Sequence, residues 1–418
     1  MDDAPTVSHP PKASETKVVG LVSTAFFLSG VYLLVLPPVF PLLAAEFALS
    51  NTALGVMMSA YALASGVTQI PIGILVDRIG ARWVLIIGTG VSALAVTLFG
   101  FATSYFMLLL LVALLGVAMC VFQPADYAIL SASVERARLG RVFSLHTFGG
   151  NLGIMAAPLS IGLMAQLWGW RVAMFAAGGF GFAILIVLLF GRRLLNSDMS
   201  QTGPNANPTT GTNEESGKTK NQSKLLSAPF LMFLLFFVVM SMGGAGIRTF
   251  TVTAMVDFHG ATLASANAAL TAFYLASAVG ILIGGIVADR TDRHDLAVFA
   301  AVVPGAIVFA LTGGFVLPVF MLTGALFVAG LGHGVLRPSR DKMVQIATPR
   351  GSIGRTFGFI TTGAYCGNAL TPALFGWIID QGEPRLVFWM IAALIFLQGG
   401  VILATRQLMV RRRRTSDS

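Results

Sequence analysis

Gly73-Ile-Leu-Val-Asp77-Arg78 returns some two hundred residues later as Gly285-Ile-Val-Ala-Asp289-Arg290. The echo goes on. Gly100-Phe101, Phe106-Met107, Gly116, Pro124, Gly140-Arg141, Phe143, Gly149, Gly153, Pro158, Gly162 and Arg171 recur, at an offset of 214, as Gly314-Phe315, Phe320-Met321, Gly330, Pro338, Gly354-Arg355, Phe357, Gly363, Gly367, Pro372, Gly376 and Arg385. One offset held over so many helix-punctuating residues marks a duplicated domain. In a hydrophobic chain a duplication points to a transporter whose halves rock about a shared site.

The solvent of this chain is lipid. Hydrophobic residues make up 56% of it and charged residues 11%, and the mean hydropathy is +0.81. Soluble domains carry about 25% charged residues, so this surface cannot be covered with polar groups. The net charge of +9 is spread over short loops and one tail, without the aromatic-basic platform that single-stranded nucleic acid needs. Nucleic acid is therefore excluded as a partner, and membrane orientation accounts for the basic excess.

Twelve apolar segments reach spanning length, with cores at 18–43, 52–76, 83–101, 105–130, 142–167, 172–190, 229–256, 263–288, 296–316, 318–346, 356–379 and 386–408. Each is close to or longer than the roughly 20 residues a bilayer requires. The organisation expected is a tail at 1–17, six spans in 18–191, a Ser/Thr/Asn/Gly-rich linker at 192–228, six spans in 229–408 and a basic tail at 409–418. One set of loops carries Arg78, Arg82, Arg136, Arg138, Arg141, Arg290 and Arg293, and the alternate set carries little beyond Arg171 and Arg385. Positive residues stay inside, which predicts a multi-pass membrane protein with both termini cytoplasmic; the expected location is the bacterial inner membrane. Cys120 and Cys366 fall inside apolar runs and are expected to be buried free thiols. No metal-ligand cluster, phosphate loop or nucleophile-base pair stands out, so neither an enzyme nor a cofactor is expected.

Six spans, a linker, six spans, and Gly-x-x-x-Asp-Arg in the second loop of each half resemble the major facilitator superfamily, over nearly the whole chain. The first copy continues Ile79-Gly80-Ala81-Arg82, with Ala81 where that family favours a basic residue. The second continues Thr291-Asp292-Arg293 and lacks the second glycine. The resemblance implies an all-α membrane fold of two six-helix bundles related by a pseudo-two-fold axis. It also implies that Gly73, Asp77, Arg78 and Arg141, with Gly285, Asp289 and Arg290, form a loop switch that holds one rocking state. Glycine at a span end allows close helix approach, and the aspartate can cap a helix end or pair with arginine. Gly153-x-x-x-x-Pro158-x-x-x-Gly162 partly matches a fifth-helix motif of proton antiporters in that family. Its repetition at Gly367, Pro372 and Gly376 favours a helix-packing bend.

Ionisable groups inside spans are costly and mark function by default. His333, Arg337 and Arg340 share one face of the tenth span, at i, i+4 and i+7. Met119, Gln123 and Asp126 occupy the matching face of the fourth, and the resemblance places both faces on the central cavity. Asp126 is expected to pair with Arg340 when the cytoplasmic side closes, and Asp341 to steady Arg337. Arg248 lies deep in the seventh span within Gly243-Gly-Ala-Gly-Ile-Arg248, where the glycines suggest a pliable or broken helix. With no acid nearby on its own helix, its guanidinium calls for an anion. Tyr32 and Ser29 on the first span are candidate hydrogen-bonding residues, and His333 a candidate proton carrier.

The expected function is transport of a small organic anion, a carboxylate or phosphate-bearing solute. Arg248 and Arg337 neutralise it, Gln123 orients it, Tyr32 and His333 add contacts, and Asp126 or His333 exchanges a proton. The expected assembly is a monomer. Proton-driven export of drugs or metabolites is the alternative, and a membrane sensor that binds solute without carrying it is the third reading.

Overall fold

The computed structural model describes residues 12–195, 228–291, 293–347 and 353–416, all in helices and short connections. The 192–228 linker and the 1–17 tail lie for the most part outside the described residues, as do side chains 353–361.

In the first half, α1 (Lys12–Leu33), a 3-10 turn (Pro37–Val39), α2 (Phe40–Phe47), α3 (Asn51–Ile79), α4 (Ala81–Phe99), α5 (Tyr105–Met119), α6 (Phe122–Ser133), α7 (Arg136–Trp168) and α8 (Trp170–Gly191) follow one another. In the second are α9 (Ala228–His259), α10 (Leu263–Arg290), α11 (His294–Gly314), α12 (Val319–Ala347), α13 (Ile353–Asp380) and α14 (Arg385–Ser416). Eleven spans among the described residues are long and apolar enough to cross a membrane. Two of them, Glu15–Phe47 and Tyr105–Ser133, join helices broken in mid-span. The twelfth expected span coincides with α13. Helix α14 runs on to Ser416, so the basic run Arg411–Arg414 continues the helix.

Local chemistry sets the boundaries. Pro37 and Pro38 interrupt the first span, since proline supplies no N–H for the helix ladder. Ser50, Ser104 and Thr262 cap α3, α5 and α10 by accepting the N–H of Ala53, Met107 and Ser265. Gly80 and Gly169 turn the chain between consecutive spans with φ of +88° and +87°, a region favoured by residues without Cβ. Of the two expectations for the seventh span, pliable or broken, the break is absent: α9 passes through Gly243–Gly246 without interruption.

Small residues bring helices together. A Cβ on Gly30 would lie 2.1 Å from the Gly150 carbonyl, and one on Gly153 2.0 Å from that of Phe27, so α1 and α7 touch backbone to backbone. In the second half Gly367 meets Val238 in the same way, at 2.6 Å. The doubled Gly-Pro-Gly pattern is thus a packing device, as its repetition argued. Gly73 and Gly285 differ from expectation: a Cβ at either would meet nothing within 4 Å, so close helix approach is not their role here.

Contact between residues 12–191 and 228–416 runs mainly through α3 with α13 and α7 with α10. Gly376 seats on the first turn of α3 at Asn51, and Gly162 on the first turn of α10 at Asn267. The internal repeat is visible here as one contact made twice, in opposite directions. Asn267 also donates to the Pro38 carbonyl (3.2 Å), and Phe40 packs on Phe250 with ring centroids 5.9 Å apart.

Candidate functional site

A cavity of about 390 Å³ lies between the halves. The break after Met119 turns α6 so that Phe122 and Gln123 face it, α1 contributes Phe26 and Ser29, and α7 contributes Thr147 and Asn151. From the second half come Arg248 and Thr249 of α9, Arg337 of α12, and Tyr365 and Asn368 of α13. Tyr61, Ser65 and Gln69 of α3 close the circle. No carboxylate is among the described residues lining it.

Arg248 is held from one side. Its Nη2 donates to Asn368 Oδ1 at 2.6 Å, a neutral amide on a neighbouring helix. Gly244, one turn earlier, makes the room: a Cβ there would sit 3.3 Å from Arg248 Nη1. Arg337 Nη1 reaches Asn151 Oδ1 across the halves at 3.4 Å, and its Nη2 lies 3.4 Å from His333 Nε2. Tyr365 bridges the halves too, its hydroxyl donating to Gln69 Oε1 at 2.8 Å. Two fixed guanidinium groups, several amides and hydroxyls, and an aromatic and methionine wall suit an anion with an apolar part.

Of the residues expected at the site, Arg248, Arg337 and Gln123 come together on the cavity, with Ser29 beside them. Tyr32 does not. It is fully buried, and its hydroxyl donates to the Ala177 carbonyl at 3.0 Å, away from the cavity. A tyrosine on an apolar face satisfied itself on a neighbouring helix. His333 is also set back, behind Arg337 against Phe273 (ring centroids 5.5 Å), lining a separate void of about 20 Å³. Asp341 has a described backbone, but its side chain lies outside the described residues.

The Asp126–Arg340 pair is not formed in this conformation. Asp126 is fully buried 3.5 Å from His146 Nε2. Arg340 meets Met240 Sδ at 3.0 Å and lies over the Phe237 ring, 5.2 Å from its centroid. In the loop signatures, Asp77, Arg78, Arg141 and Arg290 are exposed, and Asp289 accepts from Lys342 Nζ at 2.6 Å. Cys120 is buried as expected, whereas Cys366 is exposed on the outer face of α13.

The sequence reading passed over Asn151, Asn368, Gln69, Tyr61, Tyr365 and His146. Each is a polar group within an apolar span, which is the signal that had picked out Arg248.

The model of the Major Facilitator Superfamily matches residues 21–260 and again 235–416. The Fosmidomycin resistance protein of Escherichia coli (strain K12) is 25% identical over 393 residues, which are 91% of this chain and 90% of that protein. The Membrane sensor protein UhpC of Salmonella typhimurium is 25% identical over 81% of this chain and 78% of its own length. The Multidrug resistance protein MdtG of Proteus mirabilis is 26% identical over 88% and 91%. Among solved structures, the nucleoside transporter NupG superimposes with a TM-score of 0.75 at 14% identity, covering 94% of this chain and 98% of its own. An inward-facing bacterial homolog of the human lysosomal transporter Spinster gives 0.73 at 15%, over 95% and 99%.

Proposed function

Because the chain belongs to the Major Facilitator Superfamily, a superfamily of transporters and not of enzymes, we propose that it carries a small organic anion, a carboxylate or phosphate-bearing solute, by alternating access coupled to protons. The observation that carries this reading is Arg248. Its guanidinium faces a cavity of solute size, and its hydrogen bond goes to the neutral amide of Asn368. A charge held by an amide keeps its attraction for an anion, and a site with few competing waters strengthens it. Arg337 adds a second positive group to the same wall, and Gln123 and Asn151 offer orienting amides.

The rest of the reading follows the basic loops. Both termini and the 192–228 linker are cytoplasmic in an inner membrane, the bundles at 18–191 and 229–408 are the moving bodies, and the carrier acts as a monomer. The halves meet where Asp380 reaches Asn51 and Thr52; with the termini cytoplasmic this is the outer end, and the reading takes this conformation as closed outside. The loop residues Gly73, Asp77, Arg78 and Arg141, with Gly285, Asp289 and Arg290, act when the other side closes, as does the Asp126–Arg340 pair.

Export of a drug or metabolite by proton exchange is the second reading. The Phe26, Leu33, Met58, Met119 and Phe122 wall and the names of two relatives favour it. The name of a third relative favours the sensor reading.

Proteoliposomes offered labelled carboxylates, sugar phosphates and lipophilic cations separate these. Uptake of an acid driven by an inward proton gradient, lost in Arg248→Ala, supports the anion carrier. Extrusion of cations without movement of acids overturns it, and binding without movement of any solute points to the sensor.

A further inference from the structure

Asp126 and His146 face each other inside the first half, and among the described residues neither has a hydrogen-bond partner. Their side chains are 0% and 1% exposed, and Oδ2 and Nε2 stand 3.5 Å apart. Both carboxylate oxygens and both ring nitrogens lack a hydrogen-bond partner. A buried polar group without a partner calls for an explanation.

Among the described residues, the elements packed on the pair's helices supply no other counter-charge: on α8 Arg171 is tied to Glu46, and on α10 Asp289 is tied to Lys342 and Arg290 is exposed. On α1, which packs against α6, Glu15 is tied to Arg138 of α7 at 2.7 Å, Tyr32 donates to Ala177, and Lys17 is exposed. On α4, Arg82 lies over Trp83 in the first turn. On α7, Arg138 and Arg141 are exposed near the start of the helix, and on α3 Asp77 and Arg78 are exposed at its end. Tyr127, next to Asp126, presents its ring edge to His146 at 6.1 Å. Among the described residues, each member of the pair has its only ion pair with the other.

The pair is also one side chain from the cavity. Phe26, which lines it, stacks on His146 with centroids 4.1 Å apart. Gln123, one turn from Asp126, and Thr147 and Gly150, beside and one turn from His146, line it as well.

We infer that Asp126 and His146 together bind the coupling proton of this carrier, behind the solute cavity. With one proton the pair is neutral overall, as carboxylate with imidazolium or carboxylic acid with imidazole, and it can stay dry. When that proton leaves to water, a lone carboxylate remains beside a neutral ring, and burial of an unpaired charge is penalised. Deprotonation therefore disfavours the conformation described here and favours one in which the pair meets water. That difference in stability is what coupling requires. The proposal deepens the transport reading by naming the proton site, but its test needs no solute.

The full chain with Cys366→Ser carries spin labels at Ser131→Cys and Arg293→Cys, one in each half, in lipid nanodiscs. Distances between labels are recorded from about pH 5 to pH 9, which spans the range of about pH 5 to 8 in which histidine changes charge. The expected result is a population ratio of two distances that changes about tenfold or more across this range. Asp126→Asn, which mimics the protonated acid, stays in the low-pH distribution at every pH, and His146→Gln moves the midpoint. Should Asp126→Asn fail to fold, His146→Gln and the parent decide alone. A parent insensitive to pH, or variants that keep the parent's response and midpoint, overturns the assignment. No organic anion is present, so failure of the anion reading leaves this outcome unchanged.

Discussion

Asp380 Oδ2 accepts both the backbone N–H and the hydroxyl of Thr52, at 2.7 and 2.5 Å, from the opposite half of the chain. Its Oδ1 takes the N–H and the side-chain amide of Asn51, at 2.7 and 3.1 Å. One carboxylate thus occupies the N-terminus of α3, where unsatisfied N–H groups and the helix dipole favour negative charge. The last residue of α13 fastens the second half to the start of α3.

Asp380→Ala removes both acceptor oxygens and with them all four hydrogen bonds. Loss of a helix cap costs about 0.5–2 kcal/mol, so amide exchange at Asn51 and Thr52 should speed up by about 2- to 30-fold. Hydrogen exchange read by mass spectrometry over the 48–56 peptide checks this. Unchanged protection there would mean that the Gly376 contact with Asn51 holds without the carboxylate.

For the acid that moves best in the uptake screen, Arg248→Ala should weaken binding by about 10- to 100-fold, the worth of a charge-assisted hydrogen bond. Arg248→Lys should recover only part of it, because an ammonium lacks the planar fork. Asn368→Leu, which releases the guanidinium from its seat, should weaken binding less than Arg248→Ala does. Ligand-dependent thermal shifts order the three variants.

Glycines of one sequence type should split by location. Gly153→Ala drives a methyl into the Phe27 backbone, and overpacking of this kind costs about 1–3 kcal/mol. Gly20→Ala, on the same helix pair but in open space, should be neutral or stabilise by up to about 1 kcal/mol through helix propensity. Melting temperatures of both variants in one detergent test the contrast.

The two thiols should react differently. Cys120 lines the cavity and donates to the Ser65 carbonyl at 2.8 Å, while Cys366 is exposed in the middle of α13, where lipid surrounds it. A maleimide needs the thiolate, which an apolar medium disfavours. N-ethylmaleimide should therefore label Cys366 in bilayers far more slowly than after denaturation, and Cys120 at a rate that bound solute lowers. Peptide mass spectrometry follows both, and rapid labelling of Cys366 in bilayers would show that water reaches this face of α13.

Much of the fold was legible because lipid imposes a one-dimensional rule. A span must be long and apolar, so spans stand out residue by residue. Arg248 was legible by the same rule, since a guanidinium in mid-span is an exception to it. Tyr32 and His333 were misplaced for the opposite reason. Helical periodicity gives the face of a helix but not its neighbour, and a face one helix away from the cavity has the same pattern as a face upon it. The glycines before Arg248 suggested a pliable or broken helix, whereas α9 runs through them, Gly244 leaves room for the Arg248 side chain and Gly246 for Phe375.

The sequence by itself determined the membrane class, the duplication and the depth of Arg248, since these depend on composition and order along the chain. Tertiary structure alone decided that Asn368 holds Arg248, that His146 and not Arg340 stands beside Asp126, and that Gly162 and Gly376 make one contact twice. These partners are separated by tens to hundreds of residues. Which groups come within reach depends on how whole helices rotate and close-pack, and that is settled by all their contacts together.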